Sequence, residues 1–184
     1  TYSDAGNIAT ATDAEGHVTH FLDYDAMGNL LRMRDKRGFE WNYEYDFSGR
    51  LLKQIDPLGN ETSFEFDGAN NVSAIINALG KRFEMEYNDH NKVVQTKDPL
   101  DGVIETVYDS DQMPIETKDA NNKKTFITYD EDKRVAYEED SAGNKTTYHY
   151  DESSDTRQSA NLPVQIDYPT YTRKIVYDKM QRVV

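Results

Sequence analysis

The chain has 184 residues, a net charge of −13 and no cysteine, and no run of about 20 apolar residues occurs in it. Disulfides and cysteine-ligated zinc are thereby excluded, the acidic balance argues against a nucleic-acid-backbone binder, and neither a membrane span nor a signal peptide is expected in this segment. Thirteen Tyr, seven Phe and one Trp make it too aromatic for a disordered chain.

A period governs the sequence. An aromatic recurs every 21 residues at Tyr24, Tyr45, Phe66, Tyr87, Tyr108, Tyr129 and Tyr150, and a fixed period of this length is the mark of a repeat architecture. The next residue is acidic at Asp25, Asp46, Asp67, Asp109, Asp130 and Asp151, with Asn88 the exception. A second polar marker comes eleven residues after each aromatic, at Asp35, Asp56, Asn77, Asp98, Asp119 and Asp140. The ends deviate: Tyr2 to Tyr24 is 22 residues and Tyr150 to Tyr177 is 27. Counting back from Tyr177 restores Asp167 as a second marker and puts Leu162 in the column of Leu51, Val93 and Val135. Six extra residues are therefore expected as a loop insertion near 152–160, whose polar composition suits a loop.

Each unit carries turn chemistry twice. Asp25–Gly28, Asp35–Gly38, Asp46–Gly49, Asp56–Gly59 and Asp140–Gly143 all read Asp-x-x-Gly, and Asn77–Gly80 is a variant. Aspartate opens a type I turn by accepting backbone N–H groups, and glycine supplies the positive φ that follows; this is the three-residue hairpin loop with a bulge. Asn70, Asn91 and Asn122 tolerate the glycine position. Gln112 and Lys133 do not, so different turn types are expected there, and at Asp98 the glycine is displaced to Gly102.

Two turns per 21 residues leave two segments of strand length. The second alternates: Phe39, Trp41, Tyr43 and Tyr45 point one way and Glu40, Asn42 and Glu44 the other, the period of a half-buried strand. The first holds one apolar column, Leu30, Leu51, Val72, Val93, Pro114 and Val135, and Pro114 is expected at a strand start because it lacks an N–H. The expectation is an all-β fold: antiparallel β-hairpin repeats, about eight of them, in one array over residues 1–184. They form a continuous meander sheet that coils, because open sheets seldom exceed about ten strands flat. Its aromatic face, the ladder from Tyr24 to Tyr177, is expected to stack copy over copy and to be covered by more of itself or by something enclosed. A chain starting and stopping in mid-pattern is expected to be a piece of a longer array.

The unit Tyr24-Asp25-Ala26-Met27-Gly28-Asn29-Leu30, its copy Tyr45-Asp46-Phe47-Ser48-Gly49-Arg50-Leu51 and the run Asp56-Pro57-Leu58-Gly59-Asn60 resemble the RHS, or YD, repeat family. The resemblance covers essentially the whole chain. It implies long antiparallel sheets spiralling into a hollow shell, which in bacterial polymorphic toxins and Tc toxin subunits encloses a toxic C-terminal passenger and in teneurins serves cell adhesion. The core segment that closes such shells by self-cleavage is not recognisable here, since Asp56–Gly59 sits in register as an ordinary turn.

The carboxylate pairs Asp23/Asp25, Asp109/Asp111, Asp130/Asp132 and Glu138/Glu139 would suit a glycosidase only across a cleft, and they read as turn and solvent-facing groups. The EF-hand pattern is not met at Asp23–Gly28. His17 and His20 fall on opposite strand faces, which spoils a metal pair, and His90 and His149 fall in a turn and on an outward column. Trp41 and Tyr43, with Phe64 and Phe83, would suit a glycan if exposed. Asn60, Asn71 and Asn144 head glycosylation sequons, meaningful only in a eukaryotic secretory host. The expectation is a non-catalytic, cofactor-free segment of a bacterial secreted or cell-surface protein. Its partners would be further repeats and a passenger of the same chain, with an adhesion or glycan-binding module as the alternative.

Overall fold

The structure, a computed structural model, describes residues 1–150, 162–177, 180 and 182–183. Every regular element among them is a strand. The chain divides into two compact units, residues 1–86 with 98–100, and residues 87–97 with 101–184.

The first unit contains β1 (Thr10–Thr12), β2 (Val18–Tyr24), β3 (Leu30–Arg34), β4 (Glu40–Tyr45), β5 (Leu51–Ile55), β6 (Glu61–Phe66), β7 (Val72–Ile76) and most of β8 (Arg82–Tyr87). The second contains β9 (Val93–Lys97), β10 (Val103–Tyr108), β11 (Pro114–Lys118), β12 (Lys124–Tyr129), β13 (Val135–Asp140), β14 (Lys145–Tyr150), β15 (Pro163–Asp167) and β16 (Thr172–Lys174). Within each unit strand order is chain order and each strand pairs antiparallel with the next, as the 21-residue hairpin period demands. Pro114 opens β11, where its missing N–H costs no ladder bond.

The register explains the irregular ends. Six of the ladder aromatics, Tyr24, Tyr45, Phe66, Tyr108, Tyr129 and Tyr150, sit beyond a register shift: Tyr45 pairs with Leu51, Phe66 with Val72 and Tyr129 with Val135. β2 carries one more shift, between Phe21 and Asp23. That bulge absorbs the extra residue of the first 22-residue step. The insertion near 152–160 lies outside the described residues, but its flanks are clear. Tyr150 pairs with Pro163, not Leu162, and the next turn closes through Tyr168 N–H to the Tyr171 carbonyl over a shorter loop. The column position expected for Leu162 thus belongs to Pro163, because counting back from Tyr177 assumed a full-length turn.

The strands are amphipathic across their faces. In the first unit one face carries the cross-strand rows Phe21–Met33–Trp41 and Phe64–Ile75–Phe83. The other carries ion pairs, Arg34–Glu40 at 2.6 Å, Lys53–Glu61 at 3.1 Å and Arg82–Glu84 at 2.7 Å. In the second unit Thr106–Thr117–Thr125 and Tyr148–Ile166 share one face, and Lys118–Glu105, Lys124–Glu116 and His149–Asp167 pair on the other. A single layer has no interior, and Ala74 is the one fully buried residue among those described. Phe39 and Phe83, expected on the covered aromatic face, are exposed: alternation assigns a residue to a face, not a cover to that face.

Candidate functional site

The recurring constellation is the turn. At Asp25 the Oδ1 accepts the N–H of Met27 (2.9 Å) and of Asn29 (2.8 Å), and Oδ2 accepts the Asn29 side-chain amide at 2.8 Å. The same set recurs at Asp56 with Asn60, Asp67 with Asn71 and Asp140 with Asn144. In all four the amide of the fifth turn residue is the leading cause that holds the carboxyl below its ordinary range. At Asp46 the leading cause is the Arg50 N–H, with the Arg50 guanidinium at 2.7 Å behind it. Asp35 is likewise lowered, by the Phe39 N–H and by Arg37 against an opposing cost of burial. The sequon asparagines Asn60, Asn71 and Asn144 therefore each donate an amide N–H inside the turn.

Gly28, Gly38, Gly49, Gly59, Gly80 and Gly143 all have the positive φ the motif requires. So do Asn70, Asn91 and Asn122, as expected. Gln112 (φ 62°) and Lys133 (φ 63°) do as well, with the same turn bonds to Asp109 and Asp130, so the expected change of turn type does not occur. Each side chain reaches the preceding repeat's turn: Gln112 Oε1 accepts from Asn88 Nδ2 at 3.0 Å, and Lys133 Nζ lies 2.8 Å from Asp111. Asp101, not Gly102, is the left-handed residue after Asp98.

The aromatic ladder is tied by hydroxyls. Tyr24, Tyr108, Tyr129, Tyr150 and Tyr177 donate to the carbonyls of Ile8, Val93, Pro114, Val135 and Pro163 at 2.7–3.0 Å. Where stacking of ladder rings was expected, guanidinium groups lie instead: Arg50 is 4.8 Å from the Phe66 ring centre and Arg134 is 4.5 Å from that of Tyr150. These arginines were missed from sequence; the signal was a cation five residues after one ladder position and sixteen before the next.

Trp41 lines a shallow cavity of about 240 Å³ with Arg37, Phe39, Asp56, Pro57 and Leu58. Tyr43 is not part of its lining; it opposes Gln54, and burial raises its phenol. The candidate ligand pair is thus on one face without sharing a cavity. The carboxylate pairs are occupied: Asp23 meets Arg32 at 2.6 Å, Asp111 meets Lys133, and Asp130 and Asp132 both meet Arg134. Glu138 accepts the Tyr148 hydroxyl, whose pKa is pushed up to about 12 by burial and by that carboxylate. Asp13, Glu15 and His17 converge in one turn, a grouping the His17–His20 spacing did not reveal. Lys36 Nζ already sits 3.2 Å from Asp13 Oδ2 there. Among the described residues no helix is long and apolar enough to cross a membrane.

A family model described as RHS Repeat matches residues 2–40 and 45–82, the first four hairpins with their Asp-x-x-Gly turns. Over these residues the chain is similar to RHS repeats. No curated protein matches it. Among solved structures it is similar to a Photorhabdus luminescens Tc holotoxin pore carrying a TccC3 mutation, at 14% identity and TM-score 0.69, over 90% of this chain and 11% of that one. It is similar to TcdB2–TccC3 at 15% and 0.70, over 88% and 11%. For TcdB2–TccC3–Cdc42 the values are 15% and 0.67, over 91% and 12%. At these identities the likeness is one of fold. The chain spans about a ninth of the length of these neighbours.

Proposed function

We propose that this chain is a non-catalytic wall segment of an RHS-repeat shell, one array over residues 1–184, that encloses a toxin or other passenger C-terminal in the same polypeptide. The observation that carries the reading is the use of polar groups. Turn aspartates accept backbone N–H groups, ladder hydroxyls donate to backbone carbonyls, and strand carboxylates meet Lys or Arg. Such groups are committed to building the sheet, not held for a substrate. The 21-residue period runs through the boundary between the two units without a missed step, Phe66–Tyr87–Tyr108, which supports a single array. The amphipathic faces suit a wall whose Phe, Trp and Ile side is turned to the passenger. The toxin-complex neighbours support a bacterial, secreted setting.

The test is limited proteolysis of the longer polypeptide. The passenger region is expected to be cut far more slowly there than when expressed alone. Equal rates of cutting would remove the encapsulation reading.

A further inference from the structure

Three leucines form a row along one edge of the first unit. Leu58, Leu79 and Leu100 hold the third position of three successive turns opened by Asp56, Asn77 and Asp98. They are 86%, 83% and 84% exposed, and Leu100 belongs to the first unit. In the sequence the preceding and following turns of this kind carry Arg37 and Asn121 at the same position, so the leucine recurs in three successive repeats. Nothing in the turn's own bonding needs a leucine there, since the aspartate or asparagine and the left-handed residue make the geometry. Pro57 and Pro99 precede two of the three and fix the backbone that presents them.

The pitch of the row selects its occupant. One repeat is two strands, so the leucines recur about every 9.6 Å. Heptads of an α-helix advance about 10.5 Å and drift out of register by about 1 Å per step. A second edge of the same repeats has the same pitch and no drift. The area selects the source: three leucine side chains offer roughly 400 Å², about half the ~800 Å² per partner of a stable complex. Such a contact is too small to hold separate molecules, whereas tethering in one polypeptide supplies an effective concentration of about millimolar. We propose that Leu58, Leu79 and Leu100 form an edge-to-edge seam against a row of turns from further RHS repeats of the same polypeptide. This rests on the reading of the chain as a segment of a longer shell.

Hydroxyl-radical footprinting compares the three leucines in the 184-residue chain and in the longer polypeptide, with sedimentation of the chain alone. The chain alone is expected to be monomeric, and each leucine to be oxidised several-fold more slowly in the longer polypeptide. The triple substitution L58S/L79S/L100S is expected to lower the unfolding temperature of the longer polypeptide and leave that of the chain alone unchanged. Equal oxidation in both forms overturns the seam. Dimerisation of the chain alone, abolished by the triple substitution, overturns it in favour of a second copy. Protection that vanishes when only the passenger region is deleted overturns it in favour of the passenger. Passenger protease resistance is read separately, so a seam without encapsulation, or encapsulation without a seam, is recognised as such.

Discussion

Arg82 reaches across β7 to Glu65, Nη2 to Oε2 at 2.8 Å, and the residue of β7 that pairs with both Glu65 and Glu84 is Ala74. Arg82 also meets Glu84 at 2.7 Å, so one guanidinium bridges two carboxylates on either side of the smallest apolar side chain of the strand. This is why the one fully buried residue among those described lies on the charged face. Ala74→Leu must lift the bridge or distort the strand, and overpacking at such a site costs about 1–3 kcal/mol. Urea unfolding monitored by far-UV circular dichroism measures it, with Ala74→Ser as the size control. A leucine variant as stable as the parent would show that the bridge does not close over this position.

The ladder hydroxyls make a second, graded prediction. Tyr129 donates to the Pro114 carbonyl at 2.7 Å, a carbonyl whose strand opens on a residue with no N–H. Tyr129→Phe keeps the ring and removes the bond, and the expected loss is about 0.5–1.5 kcal/mol. The native ladder already contains Phe66, whose ring is covered by Arg50, so the substitution is compatible with the fold. Tyr150→Phe should behave like Tyr129→Phe, because its bond to Val135 is equivalent. Phenylalanine variants unfolding at the parent's urea midpoint would mean that the hydroxyls are as well served by water.

Much of this was legible because the repeat is short and its signals are local. Asp-x-x-Gly specifies a turn within four residues, and alternation at Trp41–Tyr45 specifies a face within five, so hairpins, strand order and the Pro114 boundary followed from spacing. What was not legible depends on register. Arg50 over Phe66 and Gln112 against Asn88 join residues 16 and 24 apart, and the register, with its bulges beside ladder aromatics such as Phe66 and Tyr108, decides which side chains come abreast. The extra residue of the first step could be counted but not placed, since a bulge in β2 or a longer turn would give the same spacing. The same limit moved the Leu162 column to Pro163.

The left-handed glutamine illustrates the point energetically. An L-residue in that conformation costs roughly 1–2 kcal/mol, and Gln112 bears it while accepting the Asn88 amide. Gln112→Ala keeps the strained backbone and loses the contact, whereas Gln112→Gly loses the contact and relieves the backbone. The glycine variant is therefore expected to exceed the alanine variant in stability by about 1 kcal/mol, after allowing for glycine's larger unfolded-state entropy. Equal stabilities, measured by denaturant titration, would mean that the side-chain contact and not the turn conformation sets the requirement at this position.

The turn carboxylates set the pH dependence. Asp25, Asp46, Asp56, Asp67, Asp119 and Asp140 all have folded values below the ordinary 3.8. A group depressed in the folded state binds its proton more readily when unfolded, so its contribution is complete above the ordinary carboxylate value and fades as pH falls through the lower folded value. Stability is therefore expected to be level from neutral pH down to about 5 and to fall steeply below about 4. Asp119→Asn separates titration from geometry. Asp119 accepts the N–H groups of Asn121 and Lys123 through one oxygen, and the native turn at Asn77 accepts those of Leu79 and Lys81 in the same way. The asparagine variant should match the parent at pH 7 and lose less stability below pH 4, as read from urea midpoints across the range. An unchanged acid slope would place the acid sensitivity outside this turn.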